Sequence, residues 1–351
     1  MAHEIRENDK LFSVIERPWH GLGTIIENAP TIEEAITLSG LDWNAELSDM
    51  TVNVNVIHGT DDAFYMPITV PDQKAIIRTD INKVLGVVGN RYKIYQNSEM
   101  WEFIDGFQKE SGIKLETAGS LKNGRTTWVL AKKGTFESVT DDPIEEYFLF
   151  TNSFDGTSPI RVMFTNIRVV CNNTLTASIR NANNIFNVRH TNSAEGQIKE
   201  VKNALGIRTV YQNAMKVSLD MMAKKQLSST KIINFLENTI FPLKVSQTVG
   251  KGDTVQSFEE SKSNGSTIRE NNLDLVCRLM DEGAGSNIKG VRGTAYGVYN
   301  ALTEYADHHK RIRNVGDRDE RELRFENAFM TSASKFKEDV HKKIMSELIA
   351  A

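Results

Sequence analysis

The residues best suited to chemistry are clustered between Gly156 and Ala194. This stretch contains no aspartate or glutamate, where roughly five would stand at average composition. It holds Arg161, Arg168, Arg180, Arg189 and His190, together with Asn166, Asn172, Asn173, Asn181, Asn183, Asn184 and Asn187, beside Phe164 and Phe186. Guanidinium groups bind phosphates, amides reach sugar and base edges, and aromatic rings stack bases. The pattern therefore points to a polyanion site for single-stranded DNA. Arg161, Arg168, Arg180 and Arg189 would lie on phosphates, Asn172 and Asn173 near sugar or base edges, and Phe186 or Tyr92 would be available for stacking. A packing reading stays open beside it, because asparagines also cap junctions between strands and helices.

Other chemistries lack their motifs. Cys171 with His190, or a serine with His190 and Asp155, could form a nucleophilic pair, but no Gly-x-Ser-x-Gly elbow occurs. Cys171 closes the apolar run Ile167-Arg168-Val169-Val170, and it and Cys277 are read as two buried thiols. Glu304 and His308 stand at i and i+4 on a predicted helix and could face a metal together. The following Lys310, Arg311 and Arg313 favour simple complementation of a helix C-terminus. Asp141-Asp142 and Glu145-Glu146 surround Pro143 and read as a solvated turn. Gly250-Lys251-Gly252 lies in polar sequence without the strand that a phosphate cradle needs. Trp19 in Arg17-Pro18-Trp19-His20-Gly21 packs on a neighbouring domain or subunit, or faces a ligand. The expectation is a non-enzymatic protein with no metal or cofactor. A hydrolase using Cys171 or the Glu304/His308 pair is a further alternative.

The elements that must position these residues change character along the chain. Of 351 residues, 40% are hydrophobic and 25% charged, enough for a sizeable core or two. The 42 Lys+Arg are offset by 46 Asp+Glu, a net charge of −4, so any anion-binding surface is a local patch. No long apolar run occurs, and the start Met1-Ala2-His3-Glu4-Ile5-Arg6-Glu7 is polar, which predicts a cytoplasmic protein without membrane contact. Thr31 and Glu34 form a capping box that opens a short helix ending at Gly40. Val52, Val54 and Val56 alternate with Asn53 and Asn55, predicting a strand over 44–57. A turn at His58–Asp62 and strands at 63–70, 74–79 and 84–88 follow, punctuated by Pro71-Asp72. A helix over 97–107, strands at 114–121, 126–131 and 147–151, and a three-residue hairpin loop Lys122-Asn123-Gly124 complete the pattern. Helical spacing dominates 194–224, 228–236, 273–281, 294–311 and 320–348. The predicted fold is α+β: an antiparallel β-rich core with flanking helices over 1–193, a helical region over 194–245, a mobile polar linker over 246–272 and a helical region over 273–351.

Five separated motifs occur in order: Trp19-His20-Gly21-Leu22-Gly23, Leu85-Gly86-Val87-Val88-Gly89-Asn90-Arg91-Tyr92, Thr117-Ala118-Gly119-Ser120-Leu121, Arg168-Val169-Val170-Cys171-Asn172-Asn173-Thr174-Leu175 and Gly293-Thr294-Ala295-Tyr296-Gly297-Val298-Tyr299-Asn300-Ala301. Together they resemble the phage/plasmid-like proteins that carry a domain of unknown function numbered 932. The resemblance implies a role in viral or plasmid DNA metabolism, or in the contest with a host, within the host cytoplasm. A sheet-plus-helix core with a helical tail is also similar in outline to phage single-strand annealing proteins, an analogy of fold alone. The expected partners are single-stranded DNA and further copies of the chain, a homo-oligomer being needed to align a continuous basic groove. The alternative is a protein-interaction module, an inhibitor or scaffold acting on a host defence or replication protein.

Overall fold

The computed structural model describes residues 10–14, 24–56, 64–139, 142–168, 174–175, 185–203, 205–243, 264–312, 324, 327 and 332–350. Its fold is α+β, strand-rich in the N-terminal part and helical in the C-terminal part. In chain order the strands are β1 (Leu11–Val14), β2 (Thr24–Ile26), β3 (Ala45–Val56), β4 (Phe64–Arg78), β5 (Lys83–Gly89), β6 (Lys114–Leu121), β7 (Thr126–Val139), β8 (Asp142–Ser153), β9 (Ile160–Arg168), β10 (Thr174–Leu175) and β11 (Ile185–Val188). The helices are α1 (Ile32–Ser39), α2 (Asn97–Ser111), α3 (Ala194–Asn203), α4 (Leu205–Lys224), α5 (Ser229–Phe235), α6 (Asn264–Glu282), α7 (Ala295–Glu304) and α8 (Ser332–Lys343). Single π-helical turns extend α5, α7 and α8.

The larger sheet runs β10-β9-β8-β7-β6-β1-β2, antiparallel except for β1 beside β2, and β11 shares the free edge of β9 with β10. Alternation along its strands divides the side chains between two faces. Ala118, Val129, Phe148, Phe150, Val162 and Phe164 face Ala35 of α1, Met100, Phe103, Ile104 and Phe107 of α2, and Ile198 of α3. Phe107 and Phe148 bring their ring centroids to 4.5 Å. Leu121, Trp128, Leu130, Tyr147, Leu149 and Met163 form the other face. α1 is fixed as its sequence predicts: the Thr31 N–H donates to Glu34 Oε2 at 2.8 Å, Thr31 Oγ1 accepts from the Glu34 N–H, and Gly40 turns left-handed at φ 60°.

The smaller sheet, β3-β4-β5, meets the larger one at the β6–β7 loop and at the start of α2. Arg78 stacks its guanidinium 4.5 Å from the centre of the Trp43 ring and donates to the Asn123 carbonyl at 3.2 Å. The Gln96 side chain brackets Ala45, accepting from its N–H at 3.0 Å and donating to its carbonyl at 2.8 Å. The C-terminal helices surround α7, which is buried over its whole length, and Phe136 and Ile144 of the large sheet enter the same core.

Several expectations change. β4 continues through Pro71-Asp72 because residues 70–72 fall where its register shifts and pair with neither neighbour, Asp72 adopting φ 58°. The β6–β7 loop has four residues, 122–125, with Lys122, Asn123 and Gly124 all left-handed. Asp142 is fully buried and opens β8, and Glu145 lies within that strand, so the solvated turn around Pro143 is overturned. Residues 264–272, expected in the mobile linker, are helical: α6 begins at Asn264, and its Arg269 caps the carbonyls of Phe241 and Glu237 at 2.5 and 3.3 Å. α3, assigned by pattern to the helical region, packs on the N-terminal core through Ala194, Ile198 and Val201. The turn at 58–62, the Trp19 motif, Cys171 and Gly250–Gly252 lie outside the described residues. Cys277 is half-buried, its thiol pushed up by burial and by Asp274, Asp281 and Glu237.

Candidate nucleic-acid interface

The segment leaving β5 turns back across the end of β11. There the rings of Tyr92 and His190 stack with centroids 4.5 Å apart and 15° between planes. Lys93 N–H donates to the His190 carbonyl at 3.0 Å, and His190 Nδ1 meets the Lys93 carbonyl at 3.2 Å. Tyr92 donates its hydroxyl to the Ser153 carbonyl at 2.7 Å. Just beyond, Asp155 Oδ1 accepts from Ser153 Oγ, Thr157 N and Thr157 Oγ1, so the loop after β8 is a closed turn. It presses on β5: a Cβ at Gly86 would stand 2.5 Å from the Asp155 Cα.

Burial holds His190 at about 4, well below the usual imidazole value, against a raising contribution from the Lys93 carbonyl. Burial, reinforced by the Asp155 charge, pushes the Tyr92 hydroxyl upward. Both shifts favour the neutral forms at pH 7, so the ring stack and its two backbone contacts brace the two segments against each other. Tyr92 and His190 turn inward, whereas Arg91, Lys93 and Arg189 beside them are exposed, and the Lys93–His190 backbone bond brings their two segments together.

Of the residues singled out by sequence, Tyr92, Arg161 and Arg189 share this corner. Arg161 is half-buried on β9, opposite Asn187 of β11, two residues before Arg189. Arg168 is seven residues further along β9, about 23 Å at strand rise, and so does not join them. Phe186 lies opposite Val162 and packs, half-buried, against the helix-covered core. Tyr92 already uses one ring face on His190. Asn172, Asn173 and Arg180 lie outside the described residues. Arg91 and Lys93 were missed because their stretch carries no compositional bias, although Arg91 belongs to one of the quoted motifs.

Polar groups elsewhere are built into packing. The Tyr147 hydroxyl donates between Glu116 Oε1 at 2.9 Å and Glu145 Oε2 at 2.6 Å, with Lys132 bound to Glu145. Tyr296 donates to Asp142 at 2.8 Å, and Lys337 is wholly buried against Asp307 at 2.6 Å. Glu304 accepts from the Ala284 N–H at 3.3 Å. Among the described residues no group of three or more His, Cys, Asp or Glu could hold a metal ion, and no helix is long and apolar enough to cross a membrane.

No curated protein and no solved structure matches the chain. A family model, Domain of unknown function (DUF932), matches residues 84–328, from β5 through α7 and beyond, and includes the Tyr92–His190 corner and the buried α7. That span covers well over half of the sequence, and the chain belongs to the DUF932 family.

Proposed function

We propose that this protein binds single-stranded DNA without catalysis, as part of phage or mobile-element DNA metabolism, holding the phosphate backbone at the corner of Arg91, Lys93 and Arg189. The observation that carries the reading is the meeting of two distant segments at the Tyr92–His190 stack, with exposed Arg91, Lys93 and Arg189 directly beside it. Arg161 lies at the same end of β9. On a chain of net charge −4 such a patch is small, so strand annealing would require several copies to align it.

Anisotropy of a labelled single strand, beside a duplex control, tests this over a salt series. Three phosphate contacts predict a slope of log K against log salt of about −2. The triple variant Arg91→Ala/Lys93→Ala/Arg189→Ala should lose most of the affinity while remaining folded. Binding that the triple variant leaves unchanged, or no binding at low salt, sinks the assignment.

The alternative, a protein-interaction module acting on a host protein, is favoured by a different observation. The outer part of the β3–β4 hairpin exposes Val52, Val54, Tyr65, Met66 and Ile68. Capture of a partner with no DNA affinity would select that reading.

A further inference from the structure

β5 covers β4 only over Gln73–Arg78, whereas β3 pairs with β4 out to Val56 and Phe64. Beyond that cover β3 and β4 pair only with each other among the described residues, as a two-stranded arm. Cross-strand pairs Val52 with Ile68 and Val54 with Met66 stack along one face, and their side chains are 41–50% exposed. They leave on the order of 300 Å² of apolar surface, within the range of the largest patch on a typical monomer, which is often functional. A two-stranded hairpin is marginal in water without something against it.

The sequence of the arm narrows the occupant. From Met50 to Gln73 there is no lysine or arginine, and the acids are Asp61, Asp62 and Asp72. DNA and anionic lipid are therefore poor fits. The two edges differ. The β4 edge carries Pro67, which has no N–H to offer and blunts pairing. Among the described residues the β3 edge is the open side of the sheet, and it has neither proline nor lysine. Its stretch Val52-Asn53-Val54-Asn55-Val56 reads the same in both directions. An antiparallel second copy centred on Val54 sets Val52 opposite Val56, Asn53 opposite Asn55, and Val54 opposite itself. Valine thus meets valine on one face and asparagine meets asparagine on the other, with no charge within the paired stretch. A shift of one residue would oppose valine to asparagine throughout.

We infer that the β3 edge pairs with the β3 edge of a second copy across a two-fold axis at Val54, joining the two small sheets into one. The apolar area of two arms stays below the roughly 1,200 Å² of a standard stable interface, so the dimer is concentration-dependent. This inference stands apart from the DNA reading, since it concerns the uncharged arm and is tested without nucleic acid.

The test uses the full chain in sedimentation equilibrium over a concentration series, together with cross-linking. Val54→Lys opposes lysine to lysine at the axis and should raise the dimer dissociation constant at least tenfold, with the circular dichroism unchanged. Val54→Cys should give a covalent dimer under mild oxidation. Val87→Cys, exposed on β5, should give no more than the wild-type chain with its native Cys171 and Cys277. A wild-type chain that stays monomeric to about 100 μM, a dimer that Val54→Lys leaves intact, or Val54→Cys cross-linking no better than Val87→Cys would overturn the inference. Anisotropy with single-stranded DNA on the same Val54→Lys variant keeps the two readings separate: its contacts at Arg91, Lys93 and Arg189 are untouched.

Discussion

Two histidines sit where protonation opposes folding. His190, stacked on Tyr92, and His341, bonded through Nε2 to Ser218 Oγ at 3.1 Å, are both held at about 4 by burial. An unfolded histidine titrates near 6.5, so between these values the unfolded chain binds more protons and stability rises with pH. The stabilisation is complete above 6.5 and is lost as pH falls toward 4, up to about 3 kcal/mol for each group. His190→Phe keeps the stack and removes one titration. Its urea midpoint should fall less than that of the wild type between pH 7 and pH 4, and an equal fall would contradict the assignment. Lys337 is a second case. Burial pulls its ammonium down and Asp307 pulls it back up. Lys337→Met should cost about 3–5 kcal/mol by removing one member of a buried ion pair, while Lys337→Met/Asp307→Leu should recover much of that loss in denaturant titrations. Neither group announces itself in the sequence. A lysine on an amphipathic helix and a histidine after an arginine read as surface residues until the neighbouring elements enclose them.

Local patterns recover most elements because capping and alternation are properties of a few adjacent residues. Thr31, Glu34 and Gly40 define α1, and the Val/Asn alternation defines β3. Errors arise where a distant group decides the outcome. Pro71 would end a strand only if β4 were paired on both sides there. The start of α6 depends on Arg269 reaching the end of the turn after α5. The candidate site divides in the same way: Arg189 was legible from composition, while Arg91 and Lys93 became partners only through the bridge from Lys93 to His190. The corner between the sheets carries its own prediction. Gly124 has φ 93°, and a Cβ there would stand 2.6 Å from the Trp43 ring. Gly124→Ala combines about 1–2 kcal/mol of left-handed strain with displacement of the ring that Arg78 covers. Its thermal midpoint should drop by several degrees, whereas Gly196→Ala, with open space around it in α3, should not lower it.

At the scale of the whole molecule, the question is how the β-rich core and the helical core communicate. β7 and β8 extend past the helix-covered region and deliver Phe136 and Ile144 into the helical core, while α4 packs along β7. The polar centre of this junction is Tyr296 on Asp142, both fully buried and 154 residues apart in sequence. The separation explains why Asp142 reads as a surface charge from its neighbours alone. Tyr296→Phe removes the hydroxyl donor and should cost about 1–3 kcal/mol. The loss should be local, because α1 and α2 rest on a different cluster of side chains. Hydrogen exchange read by mass spectrometry should accelerate over Asp142–Glu146 and Thr294–Glu304 and stay unchanged over α2. A uniform acceleration across both cores would instead mean that they open as one unit, and that the pair at the junction contributes to global stability with no distinct role in joining them.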